Sequence, residues 1–138
     1  MRFMLFIKID PATYERAPEP SLEDVQAMQA YNEQLTKAGV LLALDGLQGP
    51  SQGARVELRG GEKVVTDGPF AEAVEVVGGY WILQTRTKEE AVEWARRCPL
   101  GEGDALELRQ VFEVAELSDE LQAAAKLSDE PPLQTVDA

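Results

Sequence analysis

The sequence predicts an α+β domain made of two β-α-β units with a hairpin inserted between them. Two amphipathic helical segments, each lying between apolar strand-like runs, indicate the two units. A strictly alternating segment that turns at a Gly-Gly pair lies between the units and indicates the hairpin. Both helices are then expected on one face of an antiparallel sheet.

The first unit begins with a strand over residues 1–9 whose two faces are both apolar: Phe3, Leu5, Ile7 and Ile9 on one face, and Met4 and Phe6 with Lys8 on the other. A Pro-rich connection follows. Ser21 has the character of a helix N-cap and Gly39 that of a C′ residue, so we expect a helix from Ser21 to about Ala38. Its apolar stripe comprises Leu22, Val25, Met28, Tyr31 and Leu35. A buried strand over 40–44 completes the unit.

The hairpin and the second unit follow from turn and capping signals. Residues 54–59 alternate, with Ala54, Val56 and Leu58 expected to face inward, and the chain turns at 60–61 to return through 64–66. Gly78-Gly79 precedes an apolar strand at 80–85. Thr87 and Glu90 match a capping box, which predicts a helix to about residue 98, and a last strand is expected over 106–114.

These elements, βαββαβ around a hairpin insert, are typical of a ferredoxin-like fold. Helices on one face leave the other sheet face bare, yet Met4, Phe6 and the strand at 80–85 present apolar side chains there. A soluble monomer rarely exposes a contiguous apolar patch of more than a few hundred Å². We therefore expect this face to pack against a second copy of the chain, which makes a homodimeric α+β barrel.

Length, charge and cysteine content bound the possible functions. The 138 residues suit one domain over 1–114, followed by an acidic extension over 115–138 with a short helix at 118–127 and then a flexible tail. The formal net charge of −12 argues against nucleic acid and anionic membranes as partners. A single cysteine, Cys98, and the lack of a run of about 20 apolar residues favour a cytoplasmic protein. We expect Cys98 to be a small buried residue rather than a reactive thiol.

The stretch KVVTDGPFAEAVEVVGGYW, residues 63–81, holds the strongest candidate site. Gly68 permits backbone angles closed to other residues and Pro69 fixes φ, so Asp67 stands where a strand ends in a rigid turn. Phe70 can fill apolar space beneath the turn. Glu72 and Glu75 share a face if the segment is helical.

Several interpretations of these three carboxylates are open. A structural turn has the most weight, since Asp readily accepts backbone N–H bonds in turns. The lining of a binding cavity comes second. A catalytic acid or base comes third, with Asp67 as the catalytic residue and a pKa raised by crowding. The same oxygens can alternatively bind a hard cation.

Five residues outside this turn are further pocket candidates. Asp45 follows the strand at 40–44 and can face the same cavity, although a plain loop position is more common. Tyr80 suits the core or the dimer interface better than a ligand platform. Lys8, like Gln110, is a polar residue on an apolar strand and can anchor a ligand if it points into the barrel. Arg109 can neutralise a cavity carboxylate.

The sequence contains no Cys/His cluster with metal-ligand spacing, no phosphate-binding loop and no dinucleotide fingerprint. A nucleophile–base pair is likewise missing. We therefore predict no metal and no cofactor.

The segment TDGPFAEAVE, followed by GGYW, resembles the signature of the DGPF proteins, which belong to the YCII-related group of the dimeric α+β barrel superfamily. The similarity extends over residues 2–114, from RFMLFIK through AGVLLALDGLQ to ELRQVFEV. The resemblance implies a ferredoxin-like fold, a homodimer and a cavity near the DGPF segment, and it implies no established reaction.

Two departures from the group bear on chemistry. An Asp and a His are proposed as a catalytic pair in the wider group, and this chain has no histidine, so that pair cannot operate here. The group's loop also tends to carry Lys where this chain has Val74, which leaves Asp67, Glu72 and Glu75 less compensated.

Two functions of different classes follow. The first is a cytoplasmic homodimer in which each subunit binds or slowly transforms a small organic molecule in a mostly apolar pocket marked by Asp67. Hydrolysis, lyase or isomerase chemistry by carboxylates is conceivable there. The second is a non-catalytic regulatory module, linked to transcriptional control through a protein partner and using the acidic extension as an interaction arm. Some relatives of the DGPF type resemble proteins encoded beside alternative sigma factors. The sequence does not decide whether the protein is an enzyme.

Overall fold

The computed structural model of the protein describes residues 1–16 and 19–125. The regular elements are, in chain order, β1 (Arg2–Ile9), α1 (Pro11–Arg16), α2 (Leu22–Lys37), β2 (Leu41–Gly46), a 3-10 turn (Pro50–Gln52), β3 (Ala54–Arg59), β4 (Glu62–Asp67), β5 (Val76–Gln84), α3 (Lys88–Arg96), β6 (Ala105–Gln110), a second 3-10 turn (Val114–Glu116) and α4 (Asp119–Ala124).

Four of these strands form one antiparallel sheet in the order β2-β5-β1-β6. The strands β3 and β4 pair with each other as a separate hairpin. This arrangement confirms the predicted α+β class and the ferredoxin-like order with a hairpin insert. The predicted helix caps are also present, since the side chains of Ser21 and Thr87 accept the backbone N–H groups of Asp24 and Glu90.

The core lies between the main sheet and the helices α2 and α3. Its largest fully buried side chains come from β1, β5 and α2: Phe3, Leu5, Leu83 and Leu35. The rings of Tyr31 and Trp81 meet edge to face, with their centres 6.0 Å apart. Both aromatic residues also satisfy their polar atoms, since the Tyr31 hydroxyl donates to the carbonyl of Trp94 at 2.9 Å and the Trp81 indole N–H donates to Asn32 at 2.9 Å. The core therefore occupies one sheet face.

The opposite face of the main sheet carries no helix in the described part of the chain. Alternation along β1 places Met4 and Phe6 there, opposite Ile82 and Tyr80 of β5. All four side chains are partly exposed, whereas their neighbours Phe3, Leu5 and Trp81 are buried. We call this surface the open sheet face.

The hairpin departs from the sequence expectation in its orientation. Ala54, Val56 and Leu58 are expected to face inward, but Val56 is 61% exposed and Leu58 73% exposed. The inward neighbours are instead Arg55 and Glu57, which are partly buried. Alternation defines which residues share a hairpin face, but contacts distant in sequence decide which face meets the protein.

Other differences concern the ends of elements. The Pro-rich connection contains α1, where Asp10 accepts the N–H of Thr13 at 3.0 Å and Pro11 occupies the first helical position. Strand β5 begins at Val76, before Gly78-Gly79 rather than after it, and β6 ends at Gln110 rather than at 114. The apolar stripe of α2 is buried at Tyr31 and Leu35, while its first members, Leu22 and Val25, are exposed.

The two glycines inside β5, Gly78 and Gly79, are explained by a bulge and by the close approach of a neighbouring strand. The pairing of β1 with β5 shifts between Ile7 and Lys8, which leaves Gly78 as the extra residue of a bulge. A Cβ on Gly79 would lie 3.0 Å from the carbonyl oxygen of Asp45, so the adjacent strand approaches closely there. Beyond β6, α4 covers part of the short helix expected at 118–127, and the end of that helix and the tail predicted after it lie outside the described residues.

Candidate functional site

The DGPF turn connects the end of β4 to the cleft beside the hairpin. Asp67 pairs with Ala54 at the end of β4 and is exposed. The N–H of Gly68 donates to the carbonyl of Gly53 at 3.0 Å, and a Cβ at Gly68 would overlap the carbonyl oxygen of Pro50. The Gly68-Pro69 peptide bond is cis. Glycine is therefore required at position 68 by the close approach of the 50–53 backbone.

The next residues bring an aromatic ring and an ion pair together. The guanidinium of Arg55 lies 4.0 Å above the centre of the Phe70 ring and forms an ion pair with the carboxylate of Glu72. A cation over an aromatic face is worth about 0.5–1 kcal/mol at exposed sites. Phe70 is partly buried, as expected for a residue filling space beneath the turn. Sequence reasoning missed Arg55 as a site residue, because only its contacts with residues 15 or more positions away reveal it.

The carboxylates after the turn do not form one crowded group. Residues 71–75 contain no helix, so the condition under which Glu72 and Glu75 would share a helical face is not met. A hydrogen bond from its own backbone N–H, together with Arg55, lowers the pKa of Glu72. Glu72 is therefore not a carboxylate whose pKa is raised by crowding. Among residues 1–16 and 19–125, no group of three or more acidic or cysteine side chains is placed to hold a metal ion.

A cleft of about 430 Å³ adjoins the DGPF turn. One wall is the loop that runs from Leu47 through Pro50 to Gly53, and the hairpin contributes Arg55. The other wall is formed by Phe70 and by the segment 73–77, including Glu75. Of the predicted site residues, Phe70 and Glu75 line this cleft, while Asp67 and Glu72 lie outside its lining.

Helix α1 fastens the loop wall of the cleft. The Tyr14 hydroxyl donates to the carbonyl of Leu47 and lies 3.4 Å from that of Gly78. The Glu15 carboxylate accepts the backbone N–H and the hydroxyl of Ser51, at 2.8 and 2.9 Å. Sequence reasoning missed both residues because it treated this segment as a connection. Asp10-Pro11 was the available signal, since an N-cap residue before Pro at N1 marks a helix start.

A second polar group lies on the open sheet face. Lys8 donates to Glu75 at 2.8 Å and to Glu107 at 3.3 Å, and these hydrogen bonds, the one to Glu75 foremost, raise the pKa of Lys8. Arg109 contacts Glu107 at 3.8 Å rather than a carboxylate of the cleft. Glu75 therefore links the cleft to the open sheet face through Lys8.

Asp45 belongs to the open sheet face as well. Its carboxylate accepts the Tyr80 hydroxyl at 3.0 Å, and this hydrogen bond is the main cause of a raised pKa of Tyr80. Asp45 is outside the lining of the cleft, although it stands only two positions before Leu47. The structure thus divides the predicted residues into a cleft group and an open-face group.

This arrangement of sheet, hairpin insert and DGPF turn agrees with the comparison of the sequence with known families. The family model of the YCII-related domain matches residues 1–115. The chain belongs to the YCII-related family. No curated protein matches the sequence. The resemblance inferred from the DGPF segment and GGYW is thereby confirmed.

Cys98 is buried, and burial raises the pKa of its thiol to about 12, so the residue is the inert buried cysteine that the sequence predicts. No helix in the described ranges is both long and apolar enough to traverse a lipid bilayer.

Proposed function

We propose that this YCII-related protein binds a small organic molecule in the cleft beside the DGPF turn. The observation that carries the proposal is the composition of the cleft walls. Apolar side chains, among them Leu47, Phe70 and Val76, surround two charged groups, Arg55 and Glu75. Small-molecule sites are commonly concave, of about 300–1,000 Å³, and mostly apolar with a few polar groups.

Hydrogen bonds that hold the loop wall of the cleft in place favour a pre-formed site. Tyr14 and Glu15 hold the loop at 47–51 by side-chain hydrogen bonds, and Gly68 holds Gly53 by a backbone bond. A site whose walls are fixed before binding loses less conformational freedom when the ligand arrives. The fixed walls therefore favour a ligand-binding role of the DGPF turn over a role as a simple connection between two strands.

We further propose that the binding-competent form is a homodimer joined through the open sheet faces. Met4, Phe6, Tyr80 and Ile82 form a partly exposed, mainly apolar surface on a sheet whose other side is covered by helices. A second copy of that face would exclude water from it. The polar groups Lys8, Asp45 and Arg109 would then border the enclosed space.

A thermal-shift screen against neutral and charged small metabolites tests the binding proposal. Ala73 lines the cleft, so Ala73→Leu should fill it and abolish the stabilisation that a bound compound gives to the wild type. The neighbouring Ala71 is exposed and outside the lining, so Ala71→Leu should retain that stabilisation. Absence of any stabilising compound, or an equal response of Ala73→Leu and wild type, would reject the proposal.

The same screen on Asp67→Asn tests the sequence-based assignment of Asp67. Arg55, Phe70 and Glu75 line the cleft while Asp67 stands outside it, so binding should survive this substitution. Loss of binding in Asp67→Asn, with the fold intact, would restore Asp67 as a ligand-contacting residue. Retained binding with loss of turnover of a bound compound would support a catalytic role.

A further inference from the structure

Arg55 gives the cleft an electrostatic preference. It is the cationic side chain among the described residues that line the cleft. The acidic group there, Glu75, is held by Lys8 at 2.8 Å, and this contact offsets its charge. The remaining lining consists of uncharged side chains and glycine backbone, so Arg55 determines the charge preference inside the cleft.

The guanidinium of Arg55 has N–H donors that are available to a ligand. A guanidinium carries five N–H donors in one plane. The hydrogen bond of Arg55 within the described chain runs from Nη1 to Glu72, which leaves Nε and Nη2 as available donors. The Phe70 ring beneath the plane orients the group, and the side chain is 37% exposed, so it is reachable from the cleft.

We propose, building on the proposed binding function, that the cleft selects organic carboxylates with an apolar body. The carboxylate of the ligand pairs with Arg55, whose planar donors match a carboxylate in two-bond geometry. The body of the ligand lies against Leu47, Ala73, Val76 and Val77. A neutral molecule of equal shape gains only the apolar contacts.

The acidic character of the whole chain opposes this selection but is the weaker effect. The net charge is −12, which repels an approaching anion. At physiological ionic strength, exposed charges are screened beyond about 8 Å, so distant acidic residues contribute little at the site. A direct, partly desolvated guanidinium–carboxylate contact is screened much less. The preference at equilibrium is therefore set locally by Arg55.

Glu72 competes with such a ligand for the same guanidinium. Its carboxylate is ionised near neutral pH, because its pKa is lowered, and it occupies Nη1 of Arg55. Glu72→Gln removes that negative charge and keeps the size of the side chain. Carboxylate binding should therefore strengthen in this variant, the opposite of the result for Arg55→Gln.

Calorimetric titration with matched acids and amides tests the proposal. The probes are benzoate, phenylacetate and 3-phenylpropionate, each paired with its primary amide, which has nearly the same shape without the charge. We expect at least one acid to bind about tenfold more tightly than its amide, as charged hydrogen bonds of this kind allow. Arg55→Gln should remove this difference, and Glu72→Gln should widen it.

Arg97→Gln serves as the control, since Arg97 likewise lies over an aromatic ring, that of Trp94, and pairs with Glu93, but is outside the cleft. It should leave the acid–amide difference unchanged. Circular dichroism confirms that each variant is folded. Equal affinities of acids and amides, failure of all three acids to bind, or an unchanged preference in Arg55→Gln overturns the proposal.

The outcomes separate this inference from the binding proposal on which it rests. If neutral compounds stabilise the wild type and lose that effect in Ala73→Leu while the acids do not bind, the cleft is a ligand site without carboxylate selection. If neither acids nor any other compound bind in the cleft, both proposals fail.

Discussion

Gly68 lies so close to the carbonyl group of Pro50 that a Cβ atom cannot be added without moving one of the two backbones. The partner is a main-chain atom, so no side-chain rotation can relieve the overlap. This contact joins the DGPF turn to the loop that forms one wall of the cleft. The shape of the cleft therefore depends on a glycine that is required by this close contact and not by a positive φ.

Gly68→Ala should destabilise the protein because the turn must shift away from Pro50. Overpacking of this kind typically costs about 1–3 kcal/mol. Urea denaturation measures the loss, and Gly46→Ala is the matched control. Gly46 lies in β2, and a Cβ added there would meet no atom within 4 Å beyond its chain neighbours, so its substitution should be close to neutral. Equal stability of the two variants would contradict the tight contact at Gly68.

Tyr14→Phe should loosen the loop wall of the cleft. The substitution removes the hydroxyl that donates to Leu47 and approaches Gly78. The expected loss of stability is about 0.5–1.5 kcal/mol, the usual net value of one hydrogen bond. Hydrogen exchange should also accelerate at the amide of Leu47, which donates to Gly78 at 2.9 Å.

Tyr31→Phe controls for a general loss of stability. Its hydroxyl donates to the carbonyl of Trp94, and neither residue belongs to the lining of the cleft. This variant should lose comparable stability without selective acceleration at Leu47. An equal pattern of exchange in both variants would show that Tyr14 has no particular role in holding the loop.

Glu113→Gln should reduce stability at neutral pH and lose this effect in acid. Arg2 donates to Glu113 at 2.7 and 2.9 Å, and these bonds lower the pKa of Glu113 from its ordinary value of 4.5. A lowered folded-state pKa stabilises the fold above the unfolded pKa, and that stabilisation is lost as pH falls through the folded value. Because both side chains are partly exposed, the effect should stay below about 1 kcal/mol.

Urea denaturation of wild type and Glu113→Gln at several pH values checks the sign. The difference in unfolding free energy should be largest near neutral pH and should shrink below pH 4.5. Glu102→Gln, at an exposed loop position, should show no such trend. A difference that grows towards acid pH would contradict the assigned ion pair.

The fold could be predicted from the sequence because its determinants are local. The alternation of β1 and the N-caps at Ser21 and Thr87 depend on residues a few positions apart, and the structure confirms them. The hairpin shows the limit of such information. Alternation grouped Val56 with Leu58, but the inward face was decided by Arg55 stacking on Phe70, 15 positions away.

The candidate site was only partly predictable, since its partners are distant in sequence. The DGPF segment identified Phe70 and Glu75, which line the cleft. Their electrostatic environment comes from elsewhere: Lys8 reaches Glu75 across 67 positions and Glu107 across 99. Strand order and register bring these residues together, and neither can be obtained from spacing alone. Tyr14 was missed for a different reason, since the short helix α1 that carries it was interpreted as a connection.

Phe6→Glu should dissociate the proposed homodimer. Phe6 lies in the middle of the open sheet face, opposite Tyr80 on β5 and Glu107 on β6. A carboxylate there would meet its counterpart and Glu107 in a face-to-face interface, and like charges brought together in this way cost several kcal/mol. Analytical ultracentrifugation should find the wild type as a dimer and Phe6→Glu as a monomer at micromolar concentrations.

Val25→Glu is the control for this substitution, because Val25 is exposed on α2, on the helical side of the sheet. It introduces the same charge and should leave the dimer intact. Circular dichroism distinguishes dissociation from unfolding in either variant. A wild-type protein that sediments as a monomer, or equal dissociation of both variants, would remove the open sheet face as the dimer interface. Such a result would reject the homodimer as the binding-competent form, and ligand binding in the cleft of a single chain would then be tested by the thermal-shift screen alone.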